Sequence, residues 1–373
     1  MSYNTLYVVS RLREGGPSTQ LRFIIENLDC ARFRPSILTL SPEDDKTALP
    51  KFESLGIPID SLSLSRHEGL WRGPKRVREE VRQREPDILH THGLRPDLLS
   101  GFAISDILRV STAHNYPYDD YPMKYGGIRG YPAAWAHLRA FRRLETTVAC
   151  SSSIMNDLAQ HEIKAQVIHN GVDTSAYHPA PSDQKYELRR KLDLSDDRDI
   201  YISVGSLIQR KKPNIVLKGF LNSSVSEEAQ LVMLGDGPLR DNCESLIEQC
   251  PESKVTFRGF VDNVQEYLQA SDYFISASLS EGLPSTVLEA LASGLPVALS
   301  NIGPHREAVQ PGKVGVLFDT NSVSAAAEGI NRLHETDEGE LAQEARQVAC
   351  NHFSAERMSS DYQSMYVDIL DIE

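Results

Sequence analysis

Cysteine is scarce in this chain of 373 residues. The five present (Cys30, Cys150, Cys243, Cys250, Cys350) are scattered and form no C-x-x-C pair. That argues against a disulfide framework and a zinc site, and a reducing cytoplasm is the expected compartment. Long apolar runs are missing too: nothing approaches the roughly 18 residues of a membrane span. The opening MSYNTLYVVS lacks the basic segment and apolar core of a signal peptide, so none is expected. No G-x-G-x-x-G follows a strand, so a dinucleotide fingerprint is not supported. Positive charge is in deficit, with 39 Lys and Arg against 52 Asp and Glu, a net −13. An acidic chain without a large basic patch argues against a nucleic-acid partner.

The charge that is there falls unevenly. Residues 1–172 hold 22 Lys and Arg against 20 Asp and Glu, and the rest hold 17 against 32. The first part carries two basic runs. One is Lys75, Arg76, Arg78, Arg82 and Arg84; the other is Arg129, Arg139, Arg142 and Arg143, mixed with Tyr131, Trp135 and Phe141. Basic and aromatic residues at helical spacing fit a membrane-surface face or a solvated helix face. The length suggests two domains of ordinary size.

The most informative stretch runs from Ser276 to Ser293, SASLSEGLPSTVLEALAS. Asp272–Ser276 before it reads as a strand. The loop Glu281-Gly282-Leu283-Pro284 follows, then a helix from about Ser285 with Val287, Leu288, Leu291 and Ala292 apolar. Ser285 or Thr286 is the expected N-cap, and Gly294 stands where a C-cap glycine belongs. Strand, tight loop and helix start make the place where an open α/β sheet binds its ligand. Backbone N–H groups there attract phosphate. Glu281 and Glu289 flank it. They either accept hydrogen bonds from adjacent sugar hydroxyls, or are a helix-start carboxylate and a solvated Glu.

A first strand is expected at Asn4–Ser10, then a Gly15-Gly16-Pro17 loop and a helix opened by Ser18. Strands are expected at 35–40, 61–64, 88–90, 109–112, 147–150 and 166–169, with helices between them. That βαβα rhythm means a parallel sheet covered on both faces. Histidines crowd two strand ends: His90 and His92 in HTHG, and His114 in TAHN. In a parallel sheet that edge carries function. His114 is expected to be functional, and His90 and His92 to shape the loops beneath it.

Pro179, Pro181 and the charged residues up to Asp199 mark a boundary. Asp197 and Asp199 form a D-x-D there, but a charged linker is a poor cage and no metal site is expected. Strands resume at 200–204, 231–234, 255–257, 273–275, 297–299 and 314–318. Gly205-Ser206 ends the first of these. Arg210, Lys211 and Lys212 follow at the turn before a helix at 214–220, where three cations either clamp a diphosphate or form an ordinary basic turn. Met358, Tyr362, Met365, Tyr366 and Ile369 in a last helix, 355–370, read as packing against the first domain.

Taken together, these motifs resemble the retaining, GT-B-fold glycosyltransferases of family 4. Glu281 and Glu289 match that family's E-x7-E pattern, and Val204-Gly205 through Lys211 resembles its basic donor turn. GDGP at 235–238, VTFRGFV at 255–261, HNGVD at 169–173, Gly15-Gly16, HTHG and the His of TAHN also match. The resemblance implies two Rossmann-like α/β domains facing a central cleft. Residues 1–172 would bind the acceptor, 173–199 link, 200–352 bind the nucleotide sugar, and 353–373 form a helix crossing back. It implies that Arg210 and Lys211 hold the diphosphate beside Gly205 and Ser206, and that Glu289 binds the ribose. Glu281 and the backbone of Gly282, Leu283, Pro284, Ser285 and Thr286 would contact the donor sugar and its phosphate. Gly16 would approach the phosphate, and His114 would lie near the reacting sugar. His114, Glu281 and Lys211 are the expected catalytic residues, with no metal and no cofactor. Two positions depart from the pattern: Ser206 replaces a frequent Arg, leaving Arg210, Lys211 or Lys212 to compensate, and His169 replaces a Pro before NGVD.

The expected activity is transfer of a hexosyl unit, with retention, from a nucleotide-diphosphate sugar to a hydroxyl of a glycan or lipid-linked acceptor. The resemblance favours UDP, and the context is cell-envelope polysaccharide biosynthesis. Chemistry is expected in the cleft, whose closure would expel water. Tyr116, Tyr118 and Tyr121 either stack on sugar rings or pack. The enzyme is expected in the cytoplasm, with its basic, aromatic segment at the inner membrane surface. The rivals are a nucleotide-sugar epimerase and a catalytically silent carbohydrate- or nucleotide-binding subunit.

Overall fold

The structure, a computed structural model, describes residues 2–371 apart from 249, 251–253, 310–313 and 337, and at 66 and 70 the backbone alone. The chain divides into two compact units: Met1–Gly171 with Ala355–Glu373, and Val172–Ser354. Met1 and the last two residues, which belong to the domain ranges given above, lie outside the described residues.

The first unit contains seven parallel strands: β1 (Tyr3–Val9), β2 (Phe33–Thr39), β3 (Ile59–Ser61), β4 (Ile88–His92), β5 (Leu108–Ala113), β6 (Thr146–Ala149) and β7 (Ala165–Val167). Their order is β3-β2-β1-β4-β5-β6-β7. Alternation sends Leu6 and Val8 of β1 to one face and Tyr7 and Val9 to the other. On the Tyr7 face lie Leu21, Ile24 and Ile25 of the helix Gly16–Glu26, together with Met358, Tyr362, Met365 and Tyr366 of the last helix, Ala355–Leu370. That helix is therefore part of the first unit's core, and each such side chain contributes about 1.5–3 kcal/mol by leaving water.

Two local expectations shift. The third strand pairs at Ile59–Ser61, ahead of the expected Ser61–Leu64, because Ser63 sits at φ 51° and breaks the extended run. Leu62 and Leu64 are still buried. The first helix opens at Gly16, with Gly15 at φ 143° as N-cap and Pro17 in its first turn. Ser18 is thus inside the helix rather than opening it.

The second unit contains β8 (Asp199–Val204), β9 (Ala229–Leu234), β10 (Val255–Gly259), β11 (Tyr273–Ser276), β12 (Val297–Ser300) and β13 (Gly315–Phe318). All pairs are parallel, in the order β10-β9-β8-β11-β12-β13. Tyr201, Phe220, Leu231, Met233, Tyr273, Ile275 and Ile330 form its core on one face. Residues 173–199, read above as a linker, lie in this unit and hold the helix Ser182–Lys191. Asp272, at the head of β11, holds that helix. It accepts from the Ile200 backbone N–H at 2.6 Å and pairs with Arg189 and Lys185. Arg189 also donates to the carbonyls of Ala270 and Arg198.

Removing the carboxylate leaves Arg189 buried without its counter-charge. Asp272→Ala is expected to destabilise the second unit by about 3–5 kcal/mol, read as a lower midpoint in chemical denaturation.

Candidate active site

In the second unit the strand order reverses between β8 and β11, so the chain leaves the ends of these neighbours in opposite directions. Ligands of open α/β sheets bind at such a point. Beyond β8, Gln209–Lys211 form a single tight turn, and Lys212 adopts a left-handed conformation (φ 49°) just before Pro213 opens the helix Pro213–Leu221. Gly235 of the GDGP turn (φ 119°) presses against this loop. A Cβ there would collide with the Gly205 carbonyl oxygen, so glycine is required. Leu207 donates to the Asp236 carbonyl at 2.9 Å, fixing the two turns together.

Beyond β11 stands Glu281, only 8 % exposed. Arg210 Nη1 donates to Oε2 at 2.7 Å and to the Ser280 carbonyl at 2.6 Å. Lys211 Nζ lies 2.6 Å from Oε1. This second contact completes an ion-paired trio around the carboxylate. Burial alone would raise the Glu281 carboxyl, but the charges of Lys211 and Arg210 outweigh it and hold it at about 2. Two cations against one carboxylate leave the trio with a surplus positive charge at the end of the sheet.

Glu289 lies on the helix Ser285–Ala292, half-buried, and its carboxylate has no hydrogen-bond partner among the described residues. Burial pushes it up to about 7, against a smaller pull from Lys211. The helix N-cap is Pro284, with no side-chain cap, so neither Ser285 nor Thr286 has that role. The φ of Pro284 is already close to helical, and Ser285 and Thr286 are the first residues of the helix. Gly294 ends it at φ 76°: its N–H bonds the Leu291 carbonyl, and that of Leu295 bonds Ala290.

His305 was not singled out in the sequence. It is fully buried, with Nδ1 2.9 Å from the Ser300 carbonyl, while Nε2 has no partner among the described residues. Burial lowers it to about 4, and it feels the charges of both Glu281 and Lys211. Its signal was the one used for His114, a histidine just beyond the end of a parallel strand.

In the first unit the reversal falls between β1 and β4. Gly16 follows β1 as the first residue of its helix and is exposed. His90 and His92 lie on β4, and His114 directly follows β5. His90 is fully engaged: Nδ1 bonds Tyr366 Oη at 2.6 Å, and Nε2 bonds Thr112 Oγ1 at 2.9 Å. Thr112 in turn bonds Tyr362 Oη at 2.8 Å. A second network was not foreseen. His137 joins Tyr121 Oη to Asp97, each at 2.7 Å, and Asp97 also bonds Ser111. Tyr121 therefore packs, and Phe141 packs too, with its ring 4.2 Å from that of His137. Tyr116 bonds His161 at 2.7 Å and remains half-buried. Ile128, Tyr131 and Trp135 are exposed on the helix Gly127–Phe141, and Arg139 lies over the Trp135 ring.

A concavity of about 930 Å³ in this unit is elsewhere. It is lined by Arg78, Arg82, Phe102, Ile107 and Arg143 at the edge where β4 and β5 begin, away from the histidines. Among the described residues no helix is long and apolar enough to cross a membrane, and no three His, Cys, Asp or Glu gather as metal ligands.

Two Rossmann-like parallel-sheet domains, each with its charged or histidine-bearing residues beyond the strand ends, define the GT-B class of glycosyltransferase. A solved structure of Anabaena Alr3699/HepE in complex with UDP shares this fold, with a TM-score of 0.82 at 19% identity over 99% of this chain and 100% of that one. Residues 14–176 match Glycosyltransferase Family 4, and residues 184–351 match Glycosyl transferases group 1. The chain belongs to these family 4, group 1 glycosyltransferases and is a hexosyl-transferring enzyme. N-acetyl-alpha-D-glucosaminyl L-malate synthase of Bacillus anthracis is 26% identical over 305 residues, 78% of this chain and 77% of that protein. O-antigen biosynthesis glycosyltransferase WclY of Escherichia coli is 25% identical over 376 residues, 96% and 97% of the two.

The two glutamates predict opposite effects on stability. The folded state raises the Glu289 carboxyl, so ionising it costs stability as pH climbs from the ordinary carboxylate range to about 7. Glu289→Gln removes that cost and is expected to stabilise the fold more at pH 8 than at pH 5. The folded state depresses Glu281, whose stabilising contribution is present above the ordinary range and lost only as pH falls toward 2. Glu281→Gln is expected to destabilise at both pH values. Thermal unfolding of the two variants against the parent checks the signs.

Proposed function

We propose that the enzyme transfers a hexosyl unit, with retained anomeric configuration, from a nucleotide-diphosphate sugar, with UDP as the nucleotide, to a hydroxyl of a glycan or lipid-linked acceptor. The observation that carries this reading is the Arg210–Glu281–Lys211 trio beyond β8 and β11, with the unpartnered Glu289 in the field of Lys211. The surplus positive charge suits a diphosphate. Glu289, once ionised, suits the two hydroxyls of a ribose. Glu281, Gly282, Leu283, Pro284, Ser285 and Thr286 would face the donor sugar and its phosphate, beside Gly205 and Ser206. Gly16 and His114 of the first unit would serve the phosphate and the reacting sugar. UDP in the solved relative and the O-antigen role in the name of another support the donor and the envelope context. A relative named for L-malate keeps a small soluble acceptor as the alternative.

In this reaction the acceptor oxygen forms the new bond to C1 as the bond from C1 to the phosphate oxygen breaks. The acceptor's proton passes to the leaving phosphate. Attack on the face the phosphate leaves retains the configuration without a protein nucleophile. Lys211 and Arg210 would stabilise the charge developing on the diphosphate, so no metal or cofactor is required by this route. The partners are thus the nucleotide-sugar donor and the acceptor, with no nucleic acid. A cytoplasmic enzyme would meet a lipid-linked acceptor at the inner membrane surface, and the exposed Ile128, Tyr131 and Trp135 beside Arg139 suit that contact.

The purified chain is incubated with UDP-, GDP-, ADP- and TDP-sugars and followed by NMR. Slow hydrolysis of a UDP-sugar is the expected result. An altered but intact nucleotide sugar would point to an epimerase, and no binding of any donor to a silent subunit or a misplaced site. Lys211→Ala and Glu281→Ala are each expected to cut turnover by about 10²-fold or more; near-normal rates in both would sink the donor site. Sedimentation with anionic vesicles at low salt should carry the protein down, and Trp135→Ala with Ile128→Ala should release it. A parent that ignores such vesicles ends the membrane reading.

A further inference from the structure

Strands β4 and β5 deliver two histidine rings side by side. Nδ1 of His92 is 2.9 Å from Nε2 of His114, and the rings stack with centroids 5.2 Å apart. One of these two nitrogens must donate and the other accept, which leaves two arrangements. In the first, His114 carries its proton on Nε2 and donates it. A neutral His92 must then carry its own proton on its Nε2. That atom is sealed from solvent and has no hydrogen-bond partner among the described residues. A buried N–H without an acceptor loses its hydration and gains nothing in return. In the second, His92 carries its proton on Nδ1 and donates it to His114. The sealed Nε2 of His92 is then only a lone pair, and a missing donor is a milder fault than an orphaned N–H.

The surroundings hold this geometry in place. The His90 ring lies tilted against that of His92, centroids 4.3 Å apart, and His90 is itself pinned at both nitrogens by Tyr366 and Thr112. The Tyr7 ring lies near His92 as well. His92 therefore has little freedom to turn its Nε2 toward a partner. Burial keeps both rings neutral at ordinary pH, with His92 lowered well below the usual histidine value and His114 to about 4, so each ring has one proton to place.

We propose that His92 is a positioning residue that holds His114 in the tautomer protonated on Nδ1. The remaining ring nitrogen of His114 then offers a proton rather than a lone pair. Nδ1 is the nitrogen of this half-buried ring with no partner among the described residues. In that state His114 donates a hydrogen bond to an oxygen of the bound sugar or phosphate and does not take the acceptor's proton. This agrees with a transfer in which the leaving phosphate receives it. The inference rests on the role proposed for His114, but the tautomer itself can be read without any turnover.

The test is a two-dimensional proton–nitrogen spectrum of the full chain labelled with ¹⁵N-histidine, with His114→Asn used to assign the ring signals. A protonated Nδ1 and a bare Nε2 on His114 is the expected result. A His114 protonated on Nε2 in the parent's spectrum overturns the proposal. His92→Phe removes the donor, and His114 should then populate both tautomers while kcat falls about 10-fold or more with the donor KM little changed. His92→Asn keeps an N–H donor and should recover part of the loss. An unaltered His114 tautomer in a folded His92→Phe chain overturns the proposal as well. A His114→Ala enzyme that still transfers at the parent's rate would instead remove His114 from the reaction and leave the tautomer result standing.

Discussion

Parallel strands all end at the same edge of their sheet, and where the strand order reverses, the chain departs from that edge in two directions. This constraint acts separately in each unit. In the first, β1 and β4 are neighbours with their connections leading opposite ways, and Gly16 and His92 lie at their ends. In the second, β8 and β11 play those parts, and the turn bearing Arg210 and Lys211 meets the loop bearing Glu281. Residues about 70 apart in sequence become ion-pair partners because the sheet places β8 and β11 side by side.

The two edges solve the cost of burying polar groups differently. The second unit uses ions. Glu281 remains ionised because Arg210 and Lys211 are within reach, and Glu289 is raised because nothing comparable reaches it. One carboxylate is thus already satisfied, and the other still lacks partners of the kind that sugar hydroxyls provide. The first unit uses networks of hydrogen-bonded side chains. Tyr366, His90, Thr112 and Tyr362 form a chain of hydrogen bonds between the strands and the last helix, and Asp97, His137 and Tyr121 form another chain. Such networks fix ring orientation, which is what a histidine that must present one particular nitrogen requires.

The last helix has a role beyond filling space. Tyr362 and Tyr366 bury their rings against the first unit's sheet and aim their hydroxyls at the histidine layer. The end of the chain therefore helps orient residues near its first third.

Much of this was legible in the sequence because it depends on local pattern. Apolar runs marked twelve of the thirteen strands close to where they pair, since a buried parallel strand needs nearly continuous apolar residues; the third pairs earlier than expected. Gly294 was legible as a helix stop, because few residues but glycine turn left-handed there. His114, Glu281 and Lys211 stood out because they follow strand ends, and Glu289 because it stands eight positions after Glu281 on the next helix. The tertiary structure alone decided the rest. Helix 182–191 sits in a stretch that reads as linker, because its anchor, Asp272, lies some eighty residues away. Ser63 breaks a strand that alternation supports. The pairing of His92 with His114 is invisible in one dimension, because a hydrogen bond between strands is a matter of register and depth. Whether a carboxylate sits at about 2 or about 7 likewise depended on which cations the fold brought to it.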